Sequence, residues 1–355
     1  MPRPTPAPAS RLARRALPAA VAAAVLLLPA CGSDAPAEEA SPTSGGAADA
    51  GAWTPVSIES ALGTAEIEEA PERVVTWGWG TTDAAIALGV VPVAMPTQTY
   101  GGDEEGVLPW VREALDEAGA EVPELLSDSQ EPPYEEILAA DPDVILAQYS
   151  GLTQEQYDRL EAIAPVVGYP DQPWSTPWRD VLAITGEALG REDEADAVLA
   201  DIEGEVAEAA AEHPEFAGTT LAAVYDLDAF YVYTPADPRV GFLEDLGFET
   251  APSVTELDTG ESSFFFTLSP ERTSELTADV LLSYADTQEA QDAFLAKPST
   301  QALPQYPGGS IALVTGASLV SSVSPPTALS ATYGLDEITD ALAAAVAGEG
   351  AGAAG

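Results

Sequence analysis

Few side chains in this sequence could carry out a reaction. His213 is the only histidine and Cys31 the only cysteine, so no Ser-His-Asp triad, Cys-His pair or His/Cys zinc cluster can be assembled. The turn Gly78-Trp79-Gly80 lacks the spacing of a phosphate loop, and the acids show no EF-hand order. The expectation is no catalytic residue, no direct metal ligand and no resident cofactor. What does recur is large aromatic side chains beside apolar runs. Trp77, Trp79, Tyr100, Tyr149 and Trp174 stand in the first half, and Tyr225, Tyr233 and Phe265 in the second. Such a set suits a bulky, partly apolar ligand held by a few polar anchors. Arg239, in Pro235-Ala236-Asp237-Pro238-Arg239, is the expected charged anchor, with Asp237 close enough in sequence to claim it instead.

The elements that must position these residues read as strands and helices in alternation. Arg73 to Trp77 is a strand, Asp83 to Leu88 a helix capped by Thr81 or Thr82, and Val91 to Met95 a strand. That βαβ unit implies a parallel sheet. Tyr134–Ala139 repeats the helix, Val144 to Ala147 the strand, and Thr153 caps a helix from Gln154 to Ile163. Ligands of open parallel sheets bind outside the carboxyl ends of the strands, where Trp77, Trp79, Tyr100 and Tyr149 fall. In the second half, Leu221 to Tyr225, Phe230 to Tyr233, Val280 to Ser283 and Ile311 to Val314 read as strands. Val240 to Leu246, Ser269 to Leu276 and Asp336 to Ala347 read as helices. Glu135 lies eight residues before Asp143-Val144-Ile145-Leu146, and Glu271 eight before Asp279-Val280-Leu281-Leu282, an echo that suggests internal duplication.

Between the halves runs an acidic helix from Arg191 to His213. Ala195, Val198, Leu199, Ile202 and Val206 share one face, and Gly190 and Pro214 fence its ends. At roughly 1.5 Å per residue it spans about 34 Å, long enough for a strut between two lobes.

Arg11, Arg14 and Arg15 lead into an apolar run, Ala19 to Leu28, that ends in Leu28-Pro29-Ala30-Cys31. The run is too short to span a membrane and reads as an export signal. Residues 32–53, rich in Gly, Ala, Ser, Pro and acid, read as a flexible tether. The formal net charge is −47, and the four arginines before Cys31 leave 8 bases against 59 acids, or −51, without that segment. So acidic a surface excludes nucleic acid and anionic lipid as partners.

The order of these segments is similar to that of a known family. Leu28 to Cys31 resembles the bacterial lipobox, in which the cysteine is lipidated and becomes the first residue. Pro71-Glu72-Arg73-Val74-Val75, the Trp-Gly-rich turn and Asp83-x-x-x-Ala87-Leu88-Gly89-Val90 resemble the binding proteins of iron–siderophore ABC importers. So do Ile137-Leu138-Ala139-Ala140-Asp141-Pro142-Asp143-Val144-Ile145-Leu146, Tyr149 to Tyr157, Ile163-Ala164-Pro165-Val166-Val167, and Trp178-Arg179 followed by two helices. The resemblance spans about residues 55–347. It implies an α/β fold of two parallel-sheet-containing lobes joined by a single long helix, with a ligand cleft between them. The corresponding segments are a signal peptide (1–31), a tether (32–53), an N-terminal lobe (54–176), a connecting helical segment (177–214), a C-terminal lobe (215–347) and a disordered tail (348–355). It further implies a monomeric, non-enzymatic lipoprotein on the outer face of the cell membrane. Its ligand would be a ferric siderophore, the only form in which it holds iron, and its partner an ABC permease. Asp83, standing where relatives carry a glutamate, would dock on that permease, with Asp237 or Glu244 as the second-lobe counterpart. The scarcity of bases favours a neutral or cationic hydroxamate complex over an anionic catecholate. Cobalamin or haem is an alternative ligand, and an anchored scaffold or a degraded hydrolase is an alternative of another class.

Overall fold

The computed structural model describes residues 53–129 and 131–352. The signal segment, Cys31, the tether as far as residue 52 and the last three residues of the tail lie outside the described residues.

An antiparallel hairpin, β1 (Val56–Glu59) and β2 (Thr64–Ile67), opens the fold. The first sheet follows: β3 (Val74–Thr76), β4 (Ala94–Pro96), β5 (Glu124–Leu126), β6 (Val144–Leu146) and β7 (Val166–Val167). Its order is β5-β4-β3-β6-β7 and every pairing is parallel. Both faces are buried, as a parallel sheet requires. Val75 and Ile145 point into one apolar cluster, Val74, Val144 and Leu146 into another, the two-residue alternation of a pleated strand. The crossovers are α1 (Thr81–Ala87), α2 (Pro109–Ala118), α3 (Tyr134–Ala139) and α4 (Gln154–Glu161). Thr153 caps α4 through a full capping box with Gln156. Neither Thr81 nor Thr82 caps α1; the N-cap is Gly80, and both threonines are buried inside the helix.

The second sheet contains β8 (Thr220–Asp226), β9 (Phe230–Tyr233), β10 (Glu249–Thr250), β11 (Phe265–Thr267), β12 (Val280–Ala285) and β13 (Ile311–Thr315). Its order is β11-β9-β8-β12-β13, with β10 beside the start of β8. The pairs β8–β12 and β12–β13 are parallel, while β8–β9 and β9–β11 are antiparallel. Leu221, Ala223 and Tyr225 face one core, and Ala222 and Val224 the other. The helix expected from Ser269 is a 3₁₀ segment, Pro270–Glu275. Residues 348–352 are not frayed. Gly350 and Ala351 donate backbone hydrogen bonds to Gly309 and Ile311, at 2.8 and 2.9 Å, which fasten the tail to the start of β13.

Two segments connect the lobes. After α5 (Trp178–Leu189), the acidic helix α6 runs Glu192–Glu212. Its apolar stripe is shared: Ala195 and Ile202 join a cluster with Ala84, Leu88 and Leu182, whereas Val206 enters the core of the second lobe. The second connection was not expected. The helix Ala317–Ser322 ends near Val323 in the second core. Ala328 and Ala331 then pack with Ala84 and Leu88, and Leu329 and Tyr333 with Trp79 and Trp110. Leu335, at the start of the last helix (Leu335–Val346), returns to the second core. The chain thus crosses into the first lobe and back, and this strap meets Asp83. The carboxylate of Asp83 is 2% exposed and accepts hydrogen bonds from Trp110 Nε1 at 2.7 Å and Thr327 Oγ1 at 2.5 Å. Burial holds it above the usual carboxylate range, against the pull of those two donors. The expectation that Asp83 docks on a permease is therefore corrected: it fastens the strap inside the protein and presents no charge at the surface.

Candidate functional site

The carboxyl ends of β3, β4, β5 and β6 converge on a cavity of about 250 Å³, lined among others by Trp77, Trp79, Gln98, Asp128, Gly151 and Trp174. Two glycines let its walls close. Gly78 has φ +100°, and a Cβ there would stand 2.3 Å from the Tyr149 carbonyl oxygen. That carbonyl accepts the Trp79 N–H at 3.0 Å, so the turns after β3 and β6 touch backbone to backbone. At Gly151 a Cβ would stand 2.3 Å from Trp174 Nε1, so the indole is seated directly against bare backbone. Trp174 itself has φ +58° and is 50% exposed. Its backbone N–H donates to Ser150 O at 3.1 Å and its ring meets Tyr149 nearly edge-on at 5.8 Å. A bulky residue in the left-handed region is a strained exception and marks a site where the surroundings dictate the backbone.

The second lobe offers a bank of phenols. Tyr225, Tyr233 and Tyr284 are buried, and Tyr284 lies 6.1 and 6.2 Å from the other two rings. Arg239 stacks its guanidinium 3.9 Å from the Tyr233 ring centroid. The same Arg239 gives Nε to Asp237 Oδ1 at 2.8 Å, and that oxygen also accepts the Arg239 N–H at 2.9 Å as the N-cap of α7 (Pro238–Asp245). Burial pushes the Asp237 carboxyl up and the guanidinium partly offsets it. Both charged, the pair sums to zero. Phe265 is half-buried, opposite Tyr233 in the ladder and edge-on to Tyr231 at 5.2 Å.

The two banks meet at the rim. Tyr100, 44% exposed in the loop after β4, donates its hydroxyl to Asp286 Oδ1 at 2.5 Å. Tyr225 donates to the same oxygen. Deeper in, Tyr149 lies near enough to Asp237 and Arg239 for their charges to act on its phenol, although burial is the main reason its proton is held more tightly.

The structure thus brings Trp77, Trp79 and Trp174 to one cavity, with Tyr149 behind Trp174, and joins Tyr100 to Tyr225 across the lobes. Tyr233 and Arg239 form a stacked pair, and Phe265 flanks it. Asp286 and Tyr284 were missed. Asp286 follows the last residue of β12, so the strand-end rule that selects Trp77 could have selected it. Tyr284, the penultimate residue of β12 and the first after the expected strand Val280 to Ser283, lies within reach of the same rule. Glu244 is exposed and accepts from Thr250 Oγ1 at 2.8 Å.

Comparisons with known proteins identify the family. A model of the periplasmic binding protein family matches residues 74–307. A probable siderophore-binding lipoprotein of Bacillus subtilis, YfiY, is 28% identical over 242 residues, covering 66% of this chain and 70% of that protein. The ferric enterobactin-binding periplasmic protein FepB of Escherichia coli is 28% identical over 273 residues, 73% of this chain and 83% of that one. Among solved structures, Streptococcus pneumoniae PiaA in complex with ferrichrome superposes with a TM-score of 0.72 at 33% identity, covering 82% of this chain and 99% of that one. With two α/β lobes, aromatic side chains at the strand ends and a family match over most of its length, this chain belongs to the periplasmic binding protein family, whose members bind substrates for transport.

Proposed function

We propose that the chain is an extracytoplasmic lipoprotein that captures a ferric siderophore between its lobes and hands it to an ABC permease, without catalysing a reaction. The observation that carries this reading is the aromatic cavity at the strand ends of the first lobe, together with a phenol bank in the second whose cation, Arg239, is already neutralised. At about 250 Å³ the cavity is smaller than the roughly 300–1,000 Å³ of common small-molecule sites, so it takes one part of a larger ligand. The relatives named for siderophores, and the ferrichrome complex of PiaA, support the class.

Charge favours a hydroxamate complex. Arg239 is matched by Asp237, and Asp128 and Asp286 add negative charge at the cavity and the rim. Two unit charges 4 Å apart at an effective dielectric of about 20 interact by about 4 kcal/mol. A tris-catecholate complex of roughly three negative charges would therefore be repelled, while a neutral or cationic tris-hydroxamate would not. Lipid on Cys31 would fix the protein to the outer face of the cell membrane.

Docking falls to exposed acids. Glu244 stays available, and the internal echo offers a related pair. Glu135 in the first turn of α3 and Glu271 in the first turn of the 3₁₀ segment are both exposed, and each element leads into an interior strand next to the edge of its sheet, β6 or β12.

Tryptophan quenching of the apoprotein by ferric hydroxamates and by a ferric tris-catecholate tests the reading. Saturable quenching by the first and weak or absent quenching by the second is expected. The reverse order, or no quenching by either, overturns it.

A further inference from the structure

The contact that joins the lobes at Tyr100 consists of oxygens only. Tyr100 comes from the loop after β4, Tyr225 from the end of β8, and Asp286 follows β12. Both hydroxyls donate to Asp286 Oδ1, and the two phenol oxygens lie 3.4 Å apart. Among the described residues, no basic side chain bonds to this carboxylate. Two phenolates and a carboxylate would carry three negative charges at one point, the complement of a trivalent cation. Oxygen donors of this kind suit hard cations, and tyrosinate is an established ligand of ferric iron.

We propose that Tyr100, Tyr225 and Asp286 form an oxygen-only site for the ferric ion itself, loaded from chelates that leave coordination positions open. The proposal relies on the siderophore reading only for the location of the cleft. A hexadentate siderophore encloses its iron and has no use for the trio; a tetradentate chelate leaves two positions that the phenolates fill, and the Asp286 carboxylate takes a third by displacing one donor arm of the chelate. Each phenol that binds releases one proton and displaces one water from the iron, and no electron moves. Because each phenol gives up its proton on binding, uptake is proton-coupled and weakens as pH falls. Tyr100 is the exposed member and Tyr225 the buried one, which sets an order of outer capture and inner seating. Because one ligand comes from the first lobe and two from the second, the ion also ties the lobes together.

Ferric nitrilotriacetate, a tetradentate chelate, is the probe, titrated at neutral pH into the full chain without siderophore. The expected result is a phenolate-to-iron charge-transfer band in the visible, saturating at one iron per chain and fading on acidification. Tyr225→Phe and Asp286→Asn should each lower the affinity by more than the roughly ten- to hundredfold that loss of a supporting contact brings. Tyr231→Phe, whose hydroxyl serves Asp228 at 2.9 Å outside the trio, should keep the band. Thermal melts of the variants verify that each is folded. No visible band, or a band that persists in both Tyr100→Phe and Tyr225→Phe, overturns the proposal. Hydroxamate quenching without the band would sink this proposal alone, and the band without hydroxamate quenching would sink the siderophore reading alone.

Discussion

Replacing Arg239 by alanine should cost stability before it costs affinity. Asp237 is 2% exposed in its side chain, and Arg239, at 21%, is its only cation among the described residues. Deleting the guanidinium leaves a buried carboxylate among Tyr233 and Tyr284. Breaking a buried pair in this way costs about 3–5 kcal/mol, and the partial exposure of Arg239 places the value near the lower end, about 3 kcal/mol. Asp237→Asn in the same chain removes the stranded charge and keeps the oxygen that caps α7, so the double variant should recover to within about 1 kcal/mol of the parent. Urea unfolding of the parent, the single and the double variants measures both differences. Quenching titrations on the same samples ask the second question. A free anchor lost from the ligand would weaken binding roughly ten- to a hundredfold in both variants, whereas an internal pair predicts a much smaller loss in the double variant. An Arg239→Ala protein as stable as the parent, or one that Asp237→Asn does not rescue, would refute the reasoning.

Four further outcomes are expected. Asp83 has a raised folded pKa, so the folded state holds its proton longer than the unfolded state, and stability is lost as pH rises through the folded value; Asp83→Asn should flatten that part of the stability–pH curve, and an unchanged slope would mean the strap carries no titrating charge. Gly151→Ala should drive the Trp174 indole off its backbone seat, shifting tryptophan emission and weakening ligand quenching with little change in melting temperature, since the ring is half exposed; unchanged emission would place Trp174 elsewhere. Reversing Glu135 and Glu271 together to lysine should leave ligand affinity intact and reduce transport into cells, and normal uptake would remove both from the docking surface. Cys31→Ser should abolish membrane retention, and an unacylated Cys31 in the intact mass of the wild-type protein would rule the anchor out.

What the sequence reveals depends on how far apart the partners lie. Thr153 with Gln156, or Gly190 and Pro214 around α6, are local signals, and the elements fall within a residue or two of the expected places. Parallel strands buried on both faces read as apolar runs, so the cores of both lobes are legible, as are the strand-end tryptophans. Asp83 is the opposite case. An acid in the first turn of a helix looks like a surface residue favouring the helix dipole, and only contacts 27 and 244 positions away bury it. Trp110 shows the same limit. It sits on an amphipathic helix, α2, that the alternation of strands gives no reason to expect, and its ring lies 5.2 Å from Tyr333 of the strap. The pairing of Arg239 with Asp237 is visible as a possibility in Asp-Pro-Arg, but whether it forms depends on the depth of the loop.

The strap also dictates the order in which the polypeptide can mature. The first lobe is not a contiguous stretch of chain: Ala328, Leu329, Ala331 and Tyr333 complete its packing. A chain emerging from a translocation channel N-terminus first would present all five strands of the first sheet long before those residues arrive. Until then the face of Trp79, Ala84, Leu88 and Trp110 has no cover and the Asp83 carboxylate no Thr327. The first half must wait, incompletely sealed, for nearly the last segment to be delivered, and a nonsense codon after Val323 would spoil the half of the protein that had already been made.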